Sequence, residues 1–186
     1  MQKSEDVNIA QRLVTAARFY QEGKYDEVIE IYNEIITLQP ENAYVFFLRG
    51  SSFIAKQMYD QAITDFSRAI ELDGENYIYY FVRAKAYNDK QLFVEAVADY
   101  DKAIELNPED YTLYDMKSAT CFRSGKYVEA IESCDKGIEL NPQHAMFYLT
   151  KSVCYEKLGD KEKTAENYQK FLYFSSIPKK LECRVS

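Results

Sequence analysis

The sequence predicts an all-α chain of tandem pairs of short helices, and three observations carry that prediction. An aromatic residue recurs at Tyr25, Tyr59, Phe93 and Tyr127, each 34 residues after the last. A second marker, Pro40, Gly74, Pro108 and Pro142, keeps the same interval. Between the markers, apolar and small residues recur three and four apart, as in Phe46, Gly50, Phe53 and then Ala62, Ile63, Phe66, Ala69, Ile70. That is the period of an amphipathic helix. A fixed period of this length marks a stacked array, in which each unit buries its apolar face against its neighbours.

The elements follow in order. Ser4, with Glu5 and Asp6 behind it, reads as a helix N-cap with an acidic first turn, so the first helix begins within residues 1–8. Gly23-Lys24-Tyr25, Lys56-Gln57-Met58, Lys90-Gln91-Leu92 and Gly125-Lys126-Tyr127 break each pair into two helices. Asp26 and Asp60 are placed as N-caps of second helices. Arg68, Lys102, Lys136 and Lys170 fall in the later turns, where the helix dipole favours a cation. Each second helix stops near the Pro or Gly marker, since Pro lacks an N–H and Gly tolerates left-handed backbone.

This 34-residue helix–turn–helix unit resembles the tetratricopeptide repeat. Counting units from Ile9, Ala43, Tyr77, Tyr111 and Ala145, the small residue asked for at position eight is Ala16, Gly50, Ala84, Ser118 and Ser152. Position eleven carries Phe19, Phe53, Tyr87, Cys121 and Tyr155, and position twenty-four Tyr32, Phe66, Tyr100, Cys134 and Tyr168. Ala62, Ala96 and Ala130 fill position twenty, and Ala69, Ala103 and Gly137 position twenty-seven; the end units depart there with Val28, Thr164, Ile35 and Phe171. The resemblance implies a right-handed superhelical solenoid of antiparallel helix pairs. Its expected organisation is a lead (1–8), five units (9–42, 43–76, 77–110, 111–144, 145–178) and a tail (179–186).

Composition excludes several activities. The chain has 186 residues and a net charge of -7, which disfavours phosphate-backbone binding, so no nucleic-acid partner is expected. One histidine and four cysteines without C-x-x-C spacing offer no metal site. Cys121 and Cys134 read as apolar core filler, and His144 as a polar surface residue of a turn. No nucleophile–base pair or glycine-rich phosphate loop stands out, so neither catalysis nor a cofactor is expected. No apolar run is long enough for a transmembrane helix, and no secretory signal opens the sequence, which points to a cytoplasmic protein.

Function then rests on the groove that the resemblance implies along the first helices. Its expected lining is Leu13, Val14, Tyr44, Phe47, Leu48, Ile78, Phe81, Val82, Lys85, Asp115, Met116, Met146 and Leu149. This surface is apolar where a solvated groove is polar, and it suits an apolar or amphipathic helical segment of another protein. Lys85 and Asp115 would fix register. The subclass of the family that clamps C-terminal carboxylates uses basic or Asn residues where this chain has Leu13, Ala17, Leu48, Ile78 and Val82. No binding of acidic chaperone tails is therefore expected. Two other readings stand beside the adaptor or chaperone-like one: a second copy, or the chain's own tail, covers the apolar surface. Phe171, Leu172, Phe174 and Ile177 mark a homo-oligomer contact if the last unit is left uncovered. The last four residues, Cys183-Arg184-Val185-Ser186, match a C-a-a-X prenylation box, which would make Cys183 a lipid anchor site.

Overall fold

The computed structural model describes the backbone of residues 2–176 and the side chains from Ile9 onward. Among these residues all regular structure is helical. The chain divides into two compact units, residues 1–106 and 107–186. The first holds α1 (Gln2–Gln21), α2 (Tyr25–Leu38), α3 (Ala43–Ala55), α4 (Tyr59–Leu72), α5 (Tyr77–Asp89) and α6 (Phe93–Leu106). The second holds α7 (Tyr111–Arg123), α8 (Tyr127–Leu140), α9 (Ala145–Leu158) and α10 (Lys161–Ser176). Helices adjacent in sequence pack together within each unit, and α3 also touches α5 as α7 touches α9.

The helices begin differently from the sequence reading. Lys24 and Met58 occupy the N-cap positions of α2 and α4, leaving Asp26 and Asp60 inside the first turn. There the two carboxylates receive Lys56 and Lys90, which follow α3 and α5. In three pairs the side-chain cap belongs to the first helix, whereas in the last pair Asp160 caps the second, α10, by accepting from the Lys163 N–H at 3.0 Å. Asn42, Asn76 and Asp110 accept hydrogen bonds from the backbone N–H of Val45, Ile78 and Thr112. Each satisfies a donor that the first helical turn leaves unpaired. Ser4 lies inside α1, which starts at Gln2, rather than ahead of its first turn. Gly74 is outside the left-handed region, so its turn has no conformational need for glycine. The left-handed residues are instead Gly23, Gln57, Gln91, Gly125 and Gly159, all within the turn between paired helices. At Gln57 and Gln91 a side chain bears a conformation that costs a non-glycine residue roughly 1–2 kcal/mol.

Packing follows the small positions read from the sequence. In the first unit Val28, Tyr32, Ile35 and Val45 form one buried cluster; Ala62, Phe66 and Ala86 form another. Full burial of a side chain such as Phe66 contributes about 1.5–3 kcal/mol. Gly50 is required by close approach, because a Cβ there would lie 2.6 Å from the Phe66 ring. In the second unit Gly137 faces Phe147 more closely still, at 2.0 Å. Cys121, Cys134 and Cys154 are buried free thiols. Burial pushes the Cys134 thiol up to about 12 and that of Cys154 to about 11, which keeps both protonated and unreactive.

A polar ladder runs through the first unit. Arg49 on α3 donates through Nε and Nη2 to both oxygens of Asp65 on α4, at 2.7 and 2.6 Å. Its Nη1 reaches Asn33 Oδ1 on α2, also at 2.6 Å. Arg83 on α5 repeats the arrangement with Asp99 on α6, at 2.7 and 2.8 Å, and with Ser67 on α4, at 2.9 Å. Every partner lies 16 residues before or after the arginine, so each arginine joins three helices. Asp65 and Asp99 are buried, and the bidentate contact satisfies carboxylates that would otherwise be costly to desolvate. The Asp99 carboxylate holds Arg83 above the ordinary guanidinium range despite its burial. In the second unit Lys151 on α9 keeps one limb of the pattern, pairing with Asp135 on α8 at 2.5 Å.

Candidate protein-binding surface

In the first unit the expected groove residues split into a packed set and an exposed set. Leu13 and Leu48 lean on the cluster around Tyr32, and Val82 on the cluster around Phe66. Phe47 is half-buried among Phe66 and Tyr79, with ring centroids 6.3 and 5.6 Å away. Phe81 is half-buried beside Tyr100 at 6.1 Å. The exposed set is Val14, Tyr44, Ile78 and Lys85. Tyr44 and Ile78 occupy matching positions, one residue into α3 and α5, and are 54% and 38% exposed. Tyr44 stacks on Phe47 with centroids 5.9 Å apart and an interplanar angle of 28°. Tyr44 and Phe47 of α3 thus present stacked rings, with the buried Tyr79 of α5 behind them.

A cleft opens at one edge of that surface. Gln39, Pro40, Glu41, Asn42, Ala43, Tyr44, Asp73 and Tyr79 line it. Burial and the Asp73 carboxylate push the Tyr79 phenol up, which identifies the carboxylate as an electrostatic neighbour of that ring. None of Glu41, Asp73 and Tyr79 is among the expected lining residues, because the first two lie in loops between units and Tyr79 occupies a position of α5 outside the groove set that the resemblance implies. The charge distribution carries the missing signal. Residues 1–106 hold eleven Lys and Arg against eighteen Asp and Glu, whereas residues 107–186 hold twelve of each. The net charge of -7 therefore falls entirely in the first unit.

In the second unit Met146 is 47% exposed, while Met116 and Leu149 are half-buried. Asp115 is engaged internally: its Oδ2 lies 3.1 Å from His144 Nε2, without hydrogen-bond alignment. His144 is accordingly not a simple surface residue. Its ring packs 4.9 Å from Phe147 and 5.1 Å from Tyr111. The expected oligomer contact divides in the same way. Leu172 is 44% exposed and Phe171 half-buried, but Phe174 stacks on Tyr148 at 5.1 Å. Tyr168 and Tyr173, beside them on α10, are also exposed. Ile177 and Cys183 lie outside the described residues.

Among the described residues no three His, Cys, Asp or Glu side chains gather in a metal-binding group. No described helix is long and apolar enough to cross a membrane. The helical units with their exposed aromatic surface define a class: an all-α tandem-repeat solenoid. Two models described as tetratricopeptide repeat match residues 47–111 and 111–144, and the chain belongs to that family. No curated protein sequence matches the chain. Solved structures agree on the fold. The crystal structure of MamA protein superposes with a TM-score of 0.85 at 19% identity, over 96% of this chain and 97% of that one. MamA from Desulfovibrio magneticus RS-1 gives 0.83 at 14% identity, over 90% and 94%. YrrB, described as a TPR protein with an unusual peptide-binding site, gives 0.77 at 20% identity, over 88% and 84%.

Proposed function

We propose that this protein is a non-enzymatic, cytoplasmic adaptor that binds an apolar or amphipathic helical segment of another protein. Its five repeat units would span residues 9–178. The observation that carries this reading is the paired exposure of Tyr44 and Ile78 beside the half-buried Phe47. Side chains at matching positions of neighbouring repeats present a periodic apolar strip, which a helix can meet with its own i, i+3, i+4 residues. Burying two or three such contacts supplies a few kcal/mol before the costs of ordering a partner. Tyr44→Glu with Ile78→Glu tests the reading, since both side chains are exposed enough to be changed without opening the core. Peptide binding should be lost while the helical circular dichroism stays intact; unchanged binding refutes the surface.

A second reading, self-association through α10, has its own support. Position twenty-four is buried at Tyr32, Phe66, Tyr100 and Cys134, yet Tyr168 is 46% exposed there. An exposed apolar face on α10 is a contact surface by default. Light scattering over a concentration series distinguishes the two readings. A monomer at every concentration excludes the scaffold.

A further inference from the structure

We propose that the partner segment is a cationic amphipathic helix, bound on the first unit with a lysine or arginine seated between Glu41 and Asp73. The inference rests on the binding surface above and adds its charge selectivity. Three observations lead to it. The first unit carries the whole net charge of -7, and the second is neutral. Glu41 and Asp73 are exposed and share one cleft with Tyr44 and Tyr79 at the edge of the apolar surface. Among the described residues no cation pairs with Glu41 or Asp73, whereas Asp26, Asp60, Glu71 and Glu105 each hold one.

The physical chemistry favours a cation at this place over water alone. Glu41 and Asp73 line the same cleft, and a guanidinium or ammonium there is attracted by both. The exposed phenol ring of Tyr44 adds a cation–π attraction. The N-termini of α3 and α5 oppose it with about +0.5 of a charge each. Glu41 and Asp73 offset that, and Glu75, exposed in the same loop as Asp73, leaves a net negative field. An amphipathic helix with basic flanks satisfies both parts of the site. Its apolar side lies on Tyr44, Phe47 and Ile78, and one basic side chain extends over the edge. An acidic helix of the same apolar pattern meets the repulsion of the whole unit.

Three synthetic 18-residue peptides titrated against the full chain test the assignment, with fluorescence anisotropy read at low and at physiological salt. The first is an amphipathic Leu/Lys helix, the second has Glu for every Lys, and the third scrambles the first to destroy its apolar face. The expected result is at least tenfold tighter binding of the first, weakening as salt rises. Glu41→Gln with Asp73→Asn should reduce its affinity several-fold and flatten the salt dependence. Equal affinity for the Lys and Glu helices overturns the charge selectivity and leaves the apolar surface standing. Equal affinity for the scrambled peptide overturns the assignment as non-specific charge attraction. Absence of binding by all three overturns the surface itself. A chain ended at Ser176 that binds the Leu/Lys helix tenfold more tightly assigns the site to the protein's own Lys179- and Lys180-bearing tail instead. A dimer that the peptide dissociates assigns it to a second copy.

Discussion

Gly137→Ala sets two well-known effects against each other, and the structure decides between them. In an exposed helix interior, exchanging glycine for alanine stabilises by about 1 kcal/mol. At Gly137 the added methyl carbon would sit 2.0, 2.4 and 2.6 Å from three atoms of the Phe147 ring, which is fully buried. Neither the ring nor the helix backbone can withdraw without displacing the core between α8 and α9. Overpacking costs about 1–3 kcal/mol, and a contact this short lies at the upper end. The net expectation is a loss of about 2 kcal/mol, or roughly 4–8 °C in a chain of this size. Urea unfolding followed by circular dichroism measures it, with Phe147→Leu as the second member of a double-mutant cycle. Shortening the ring should make the two substitutions less damaging together than the sum of each alone. A stabilised Gly137→Ala variant, or strict additivity with Phe147→Leu, would refute the close-packing argument.

Asp65→Ala should destabilise by about 3 kcal/mol, because it strands a largely buried guanidinium, while Arg49→Met with Asp65→Leu should cost far less. Equal losses in thermal unfolding would show that the pair has no such asymmetry. The thiols predict a pH dependence. Their folded pKa values, about 12 for Cys134 and about 11 for Cys154, exceed the ordinary value of 9.0. Their stabilisation is therefore complete below pH 9 and is lost as pH rises toward those values, by up to about 1.4 kcal/mol per pH unit for each thiol. The urea midpoint should fall between pH 9 and 11, and less steeply in Cys134→Ala; parallel profiles would exclude the thiol as the cause.

Much of this was legible in the sequence, for a specific reason. A solenoid repeats its packing, so one constraint, such as the small residue opposite Phe66, appears again a period later and stands out against the background. Helix starts were less legible. Asp26 resembles a cap in its residue type, but the turn before it places Lys24 at the boundary, and only backbone geometry distinguishes a cap from a first-turn acid. The arginine ladder left a trace in the spacing of Arg49 and Arg83, yet it joins three helices and no single-helix pattern reveals it. The surface was the least legible. Of the positions that the family resemblance pointed to, Leu13, Leu48 and Val82 lean on the core, leaving Tyr44 and Ile78 more exposed.

The ladder has a consequence for how such a chain lengthens or shortens. Arg83 stands 34 residues after Arg49, and each reaches 16 residues in either direction. Removing residues 43–76 would bring Arg83 opposite Asn33 while leaving it paired with Asp99. The same excision would bring Lys90 to Asp26, in place of Lys56. Every broken contact is replaced by one of the same chemistry. Within the first unit the polar stitching thus survives the loss of that period without a compensating mutation, whereas excising residues 77–110 would set Ser124, not a lysine, opposite Asp60.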